Sequence, residues 1–278
     1  MKCHKIIRDS YGRPVSYVIE QNNGIIQEIP KDRVKAYLKT GKTIENLKYT
    51  KDNRIIASKN SSETYIKLYH GSPNKLIILD RNKGESKHDY GKGFYMTPNK
   101  ELAKEWAVCN TDENGYIHSY VLDTKNLKIL DFQKYSVLNW LAELMSHRSA
   151  DNSMGYKKNA EIFISKFKIN TDKYDVIKGW RADASYFFIA KQFVRNNISY
   201  NVLEELLKAG SLGIQYCIKS EKAFNQTREI KTELAEVDVQ LYKQKYINRD
   251  TYAREEMRKV VESDRNTYEN RFIDIIKE

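Results

Sequence analysis

Three short segments concentrate side chains that can hold or polarise a ligand. Tyr69-His70-Gly71 sets an imidazole beside a glycine at the end of a strand-like run, and Gly91-Lys92-Gly93-Phe94-Tyr95 puts two glycines and a cation ahead of two aromatics. Later, RADASYF and GIQYCIKS bring the carboxyl of Asp183 and the carboxamide of Gln215. An aromatic ring can hold a flat heteroaromatic group, glycine lets backbone approach a ligand closely, and Lys92 can attract a diphosphate. Each residue also has a plain structural explanation. His70 serves as a satisfied strand-end histidine, Tyr95 or Phe94 as core, and Gly91 and Gly93 as turn or bulge residues. Asp183 serves as a helix N-cap before Ala184-Ser185-Tyr186, Gln215 as an edge-strand polar group, Lys92 as an exposed loop lysine and Trp106 as core packing.

Taken together the segments carry a resemblance. LYHGS at 68–72 resembles the first motif of ADP-ribosyltransferases of the diphtheria-toxin and poly(ADP-ribose) polymerase type. That resemblance implies that His70 contacts a ribose hydroxyl of NAD⁺ and Gly71 holds the nicotinamide carboxamide. DYGKGFYMT at 89–97 resembles the second motif, which implies that Tyr95 stacks on the nicotinamide. NKELAKEWA resembles the helix that follows, with Trp106 in the place of a second aromatic wall. The ordered set YHGS, DYGKGFYMT, YDVIKGWRADASYF (174–187) and GIQYCIKSEKAF (213–224) is closer to one bacterial family, domain of unknown function 3990, itself similar to these transferases. The resemblance covers about residues 66–226. It implies a split antiparallel β-sheet around an NAD⁺ cleft, with NAD as substrate; the mixture of strand-like and helix-like runs suggests an α+β fold, and no Cys/His spacing calls for a metal.

One departure matters. The third transferase motif offers a Glu at the start of a late strand, and here Gln215 stands in that position. A glutamine hydrogen-bonds ribose hydroxyls but cannot act as a general base. Asp183 is the candidate for activating the acceptor. Three functions remain open on the sequence: a mono-ADP-ribosyltransferase acting on a protein or nucleic acid, in the manner of a toxin or conflict effector with an antidote protein; an NAD glycohydrolase; and a non-catalytic nucleotide-binding interaction module.

The elements that must position these residues are read from periodicity. Two β-rich runs flank Asn22-Asn23-Gly24 in PVSYVIEQNNGIIQEIP, the signature of a hairpin. DRVKAYLKT predicts a helix with Val34 and Leu38 on one face, stopped at Gly41. NLKYTKDNRIIAS predicts strand, turn and strand. Residues 1–60 thus form a small basic β-rich module, joined through Lys59-Asn60-Ser61-Ser62 to a transferase-like domain at 64–226. Within that domain TYIKLYHG, KLIILD, IHSYVLD and LKIL read as strands, and NKELAKEWAVC as a helix. Residues 132–172 read as a helical insertion, YDVIKGW and IQYCIKS as strands, and ASYFFIAKQFV and NVLEELLKAG as helices, the latter stopped at Gly210. Glu221 falls beyond the last strand. In 227–278, Ile230, Leu234, Val237 and Leu241, then Met257, Val261, Tyr268, Phe272 and Ile275, repeat an apolar stripe around Asn248-Arg249-Asp250. This predicts an antiparallel helical hairpin, with homo-oligomerisation as one use of its surface.

Composition bounds the rest. The 278 residues are 40% apolar and 12% aromatic with 4 Pro, typical of a chain that folds. The net charge is +11, and residues 1–60 carry 13 Lys and Arg against 6 Asp and Glu. That favours polyanions slightly. No apolar run is long enough to cross a membrane, and the first residues have no signal-peptide pattern. A cytoplasmic location is expected. Cys3, Cys109 and Cys217 are too few and too far apart for a disulfide framework or a zinc site, so free thiols are expected.

Overall fold

The computed structural model describes residues 1–9, 13–50, 54–57, 64–148, 154–182, 184–209, 213–264 and 270–277. Strands β1 (Lys2–Arg8), β2 (Pro14–Glu20) and β3 (Ile26–Pro30) form an antiparallel sheet. Its second turn is the expected hairpin, with Gly24 at φ +80° where other residues are strained. Helix α1 (Lys31–Lys39) buries Val34 and Leu38 on this sheet and ends before Gly41, also at φ +80°. Strands β4 (Leu47–Tyr49) and β5 (Ile55–Ala57) pair antiparallel, as the sequence predicted. The strand over residues 2–8 was not foreseen. Cys3, Tyr17, Ile19, Val34 and Leu38 form a core of their own here, while Val18 and Ile26 pack on Val121 of the following elements. The polar stretch 59–62 lies outside the described residues.

The next strands are β6 (Tyr65–Ser72), β7 (Phe94–Met96), β8 (Tyr116–Asp123), β9 (Ile129–Asp131), β10 (Val176–Trp180), β11 (Ile214–Ile218) and β12 (Thr227–Leu234). They form two sheets, β7-β11-β10-β9 and β12-β8-β6, in which only β9 and β10 run parallel. A single antiparallel bridge between Tyr69 and Thr97 joins the sheets at β6 and β7. Leu68, Tyr120 and Leu122 from one sheet meet Met96, Val176, Tyr216 and Ile218 from the other in a shared core. Helix α2 (Lys100–Val108) covers β6. Helices α3 (Val137–Arg148), α4 (Met154–Phe167), α5 (Ala184–Val194) and α6 (Tyr200–Ala209) build a second core around Trp140, Phe163 and Phe193. A short 3₁₀ turn at Phe132–Lys134 leads into α3. The expected helical insertion is therefore present, and the whole is a mixed α+β architecture. The predicted stop at Gly210 lies outside the described residues.

Two expectations are overturned. KLIILD forms no strand: residues 76–80 belong to no helix or strand, with Leu79 packed against the shared core and Leu76 and Ile78 exposed at 87% and 76%. Alternation by itself does not make a strand without a neighbouring strand to pair with. The described residues of 227–278 do not form the expected helical hairpin either. Thr227–Leu234 is a strand paired along β8, because β8 offers an unpaired edge and Thr227, Ile230 and Thr232 are β-branched. Helix α8 (Val239–Asp264) then runs unbroken through 248–250, where no Gly or Pro stops it. Gln244–Asn248 and Arg254–Asp250 contacts, both 2.7 Å, span the expected turn. After helix α7 (Glu221–Asn225), which opens at Glu221, the tail is part of the core: Met257 of α8 and Phe272 of α9 (Phe272–Lys277) are buried with Phe163 and Phe193.

Candidate functional site

His70 lies near the end of β6, one residue beyond the bridge that joins the sheets. Its ring centroid is 4.6 Å from that of Phe94 and 6.4 Å from that of Trp106, which meets it edge-on. Nδ1–H donates to the carbonyl of Tyr95 at 2.7 Å. That bond selects the tautomer with a lone pair on Nε2, and Nε2 makes no hydrogen bond with any described residue. Burial, opposed by the Tyr95 carbonyl, pushes the His70 pKa down to about 4. At neutral pH the ring is thus an uncharged acceptor, suited to a hydroxyl donor.

Linkage gives a test of that burial. Below about 6.5 the unfolded chain takes up a proton that folded His70 refuses until about pH 4. Stability should therefore fall as pH drops through this window and be indifferent to His70 above it. Thermal unfolding of wild type is expected to decline more steeply from pH 6.5 to 4 than that of His70→Gln. Equal slopes would show that His70 is not refused its proton.

Gly71 is explained first by packing. A Cβ at this position would sit 1.8 Å from the Ala103 carbonyl oxygen and 2.7 Å from the Ala107 nitrogen, so only glycine lets α2 lie this close to β6. Its backbone has a second property. Tyr69 exchanges both backbone bonds with Thr97, at 2.7 and 2.8 Å. By strand alternation the N–H and C=O of Gly71 turn to the same edge, beyond the last bridge.

Tyr95 points to the helical side of β7. Its hydroxyl donates to Gly91 O at 2.6 Å and accepts from Tyr90 N at 2.9 Å, while burial holds the phenol well above its ordinary pKa. The ring lies parallel to Tyr90, 6.4 Å away, and 5.2 Å from exposed His88. Tyr95 therefore pins the loop that precedes its own strand. Both loop glycines are demanded by the protein itself: Gly91 has φ +72° and a Cβ there would meet the His147 ring at 2.6 Å, while one at Gly93 would meet Cys217 Sγ at 2.4 Å. Lys92 between them is exposed. Trp106 is half-buried on α2, beside His70.

Gln215 is buried at 3% exposure on β11, on the same face as Cys217, the cross-strand partner of Tyr95. Its Nε2 donates to Asp89 Oδ2 at 2.7 Å and to Trp180 O at 3.3 Å. Asp183 lies outside the described residues. Its neighbour Ala182 donates its N–H to the same Asp89 oxygen at 2.9 Å.

Asp89 is the residue that sequence reasoning missed. It is 4% exposed and joins three distant segments: Gln215, Ala182 and Arg148, whose Nη2 lies 2.6 Å from Oδ1. The charges pair closely there, although the angle is poor for a hydrogen bond. Adjacent Tyr90 donates its hydroxyl to Trp180 O at 2.6 Å and accepts from Trp140 Nε1 at 3.0 Å. Nearby, fully buried Glu143 binds Nε2 of His147 at 2.9 Å. DYGKGF contained Asp89 in plain view, but no sequence signal says which acid will be buried. Its partners are too far along the chain.

Two cavities, of about 380 Å³ beside Arg33 and Tyr37 and about 540 Å³ beside Phe167 and Tyr200, are not lined by His70, Tyr95 or Gln215. Hydrogen-bonding geometry, and not cavity volume, singles out His70. Among the described residues no three His, Cys, Asp or Glu side chains are grouped to hold a metal, and no disulfide joins Cys3, Cys109 or Cys217. No helix among the described residues is long and apolar enough to cross a membrane.

No curated protein and no solved structure matches the chain. The model of a family described as protein of unknown function (DUF3990) matches residues 66–228, more than half of the chain and all of the segments that build this site. The chain belongs to that family.

Proposed function

We propose that the protein binds NAD⁺ at the parting of its two sheets and transfers ADP-ribose to a macromolecular acceptor. The observation that carries the reading is His70: a neutral imidazole, fixed by the Tyr95 carbonyl, its ring beside Phe94 and Trp106 and its Nε2 without a hydrogen bond to any described residue. Nε2 accepts a ribose hydroxyl. The backbone N–H and C=O of Gly71, at the open edge of β6, pair with the nicotinamide carboxamide, and Tyr95 and Trp106 supply aromatic walls. A split antiparallel sheet, parted at β6 and β7, makes the cleft. Lys92, exposed on the adjoining loop, attracts the diphosphate.

The nicotinamide–ribose bond breaks with its electron pair moving to the nicotinamide nitrogen, which leaves a positively charged, oxocarbenium-like ribose. A lone pair of the acceptor forms the new bond at that carbon, and the acceptor's proton passes to solvent. Gln215 takes no proton in this scheme, which suits an acceptor nucleophilic without help. It equally suits water, the hydrolytic alternative. The basic amino-terminal module, net +7 by sequence, inclines the acceptor toward nucleic acid.

The test is mass spectrometry of cell extract incubated with the protein and labelled NAD⁺. Label retained on RNA, DNA or protein is the expected result. Free ADP-ribose alone would replace transfer with hydrolysis, and no nicotinamide release would leave only a binding module. In the same preparation His70→Ala is expected to weaken NAD⁺ affinity by roughly 10-fold, the cost of about one hydrogen bond. Unchanged affinity in calorimetry would remove His70 from the site.

A further inference from the structure

The position where the resemblance calls for a carboxylate holds an amide, yet a buried carboxylate touches that amide from another segment. Asp89 Oδ2 lies 2.7 Å from Gln215 Nε2. The amide orientation follows from chemistry: Asp89 and Trp180 O both accept, so the nitrogen must face them and Oε1 must face away. Oε1 makes no hydrogen bond with any described residue. A primary amide with both hydrogens committed is an acceptor only, and a carboxylate behind it makes its oxygen more negative. Burying such a carboxylate costs several kcal/mol unless it is paired. Arg148 at Oδ1, and the Ala182 N–H that shares Oδ2 with the amide, offset that cost.

Resting on the NAD⁺ reading above, we propose that Asp89 is a positioning residue of the nicotinamide site, supplying through Gln215 the negative charge that a glutamate at position 215 would supply directly. Asp89 holds the Gln215 oxygen in one orientation and polarises it toward the ribose carbon as positive charge develops there. Preorganised charge of this kind acts on the transition state and little on bound NAD⁺. It takes up no proton and makes no bond. The pair is therefore an electrostatic substitute for Glu in bond breaking and not a substitute in acceptor activation.

The experiment is steady-state nicotinamide release from NAD⁺ by the full chain, with thermal unfolding measured alongside, for wild type, Asp89→Asn, Gln215→Glu and the double variant. Asp89→Asn should lower kcat roughly 100-fold while KM changes by less than about 3-fold. Gln215→Glu alone brings two carboxylates together and should lower both stability and kcat. The double variant exchanges amide and carboxylate, still lacks the Arg148 charge pair, and should recover kcat to within about 10-fold of wild type. A role confined to anchoring Ala182 and Arg148 predicts no recovery, because Asp89→Asn and the double variant both lose the charge that anchors Arg148. Wild-type kcat in Asp89→Asn, or a folded double variant at about 1% of wild-type kcat or less, overturns the assignment while leaving the NAD⁺ reading intact. Absence of nicotinamide release by wild type overturns both.

Discussion

Gly71→Ala is expected to destabilise the protein by more than about 3 kcal/mol and to leave little folded chain at physiological temperature. The added methyl would stand 1.8 Å from the Ala103 carbonyl oxygen and 2.7 Å from the Ala107 nitrogen, both of them helix backbone that no rotamer change can move aside. Relief requires lifting α2 off β6, which exposes Ala103, Ala107 and Val108, all fully buried, and separates Trp106 from His70. Gly24→Ala is the control. That site has open space around it but φ +80°, so its cost should be about 1 kcal/mol. Urea unfolding of the two variants distinguishes contact from conformation, and equal midpoints would mean that α2 does not press on β6 as described.

Tyr95→Ala is expected to abolish nicotinamide release, and Tyr95→Phe to preserve it at a reduced rate. The alanine variant removes the proposed aromatic wall together with both hydroxyl bonds to the loop, at Gly91 O and Tyr90 N. A loss of more than about 100-fold in kcat/KM corresponds to roughly 3 kcal/mol. The phenylalanine variant keeps the ring and loses only the clamp, costing about 1–3 kcal/mol of stability through the unpaired Tyr90 N–H. Its nicotinamide release should stay within about 10-fold of wild type. Because loss of the clamp also loosens Asp89, next to Tyr90, the phenylalanine variant should be more sensitive to temperature than wild type. A Tyr95→Ala protein that remains folded and turns over NAD⁺ at the wild-type rate would sink the pocket.

The candidate site was half legible in the sequence. His70, Tyr95, Trp106 and Gln215 were singled out by motif order, and the fold brings His70, Phe94 and Trp106 together and sets Tyr95 on the same sheet face as Gln215. What could not be read was why the glycines are there. Gly71, Gly91 and Gly93 each face a neighbour from a distant segment, namely α2, His147 and Cys217. Nor could the sequence say that Gln215 has an acid beside it, since Asp89 and Gln215 meet only through the pairing of β7 with β11 and the loop that Tyr95 pins. A similar gap explains the tail. Ile230, Leu234, Val237 and Leu241 repeat at helical spacing, but β8 had an open edge and claimed the first part as a strand.

By itself, then, the sequence determined what depends on neighbours along the chain. The Asn23-Gly24 hairpin, the face of α1, the presence of α2, the strands that carry His70 and Gln215 and the order of the family's segments all follow from turn chemistry, side-chain period and residue type, which act over a few residues. Tertiary structure alone decided which polar group would be buried against which, how near one backbone could come to another, and which edge a marginal segment would join. Those outcomes depend on hydrogen-bond partners and excluded volume contributed by residues far apart in the chain. For the same reason the carboxylate beside Gln215 came from Asp89, on another strand's loop.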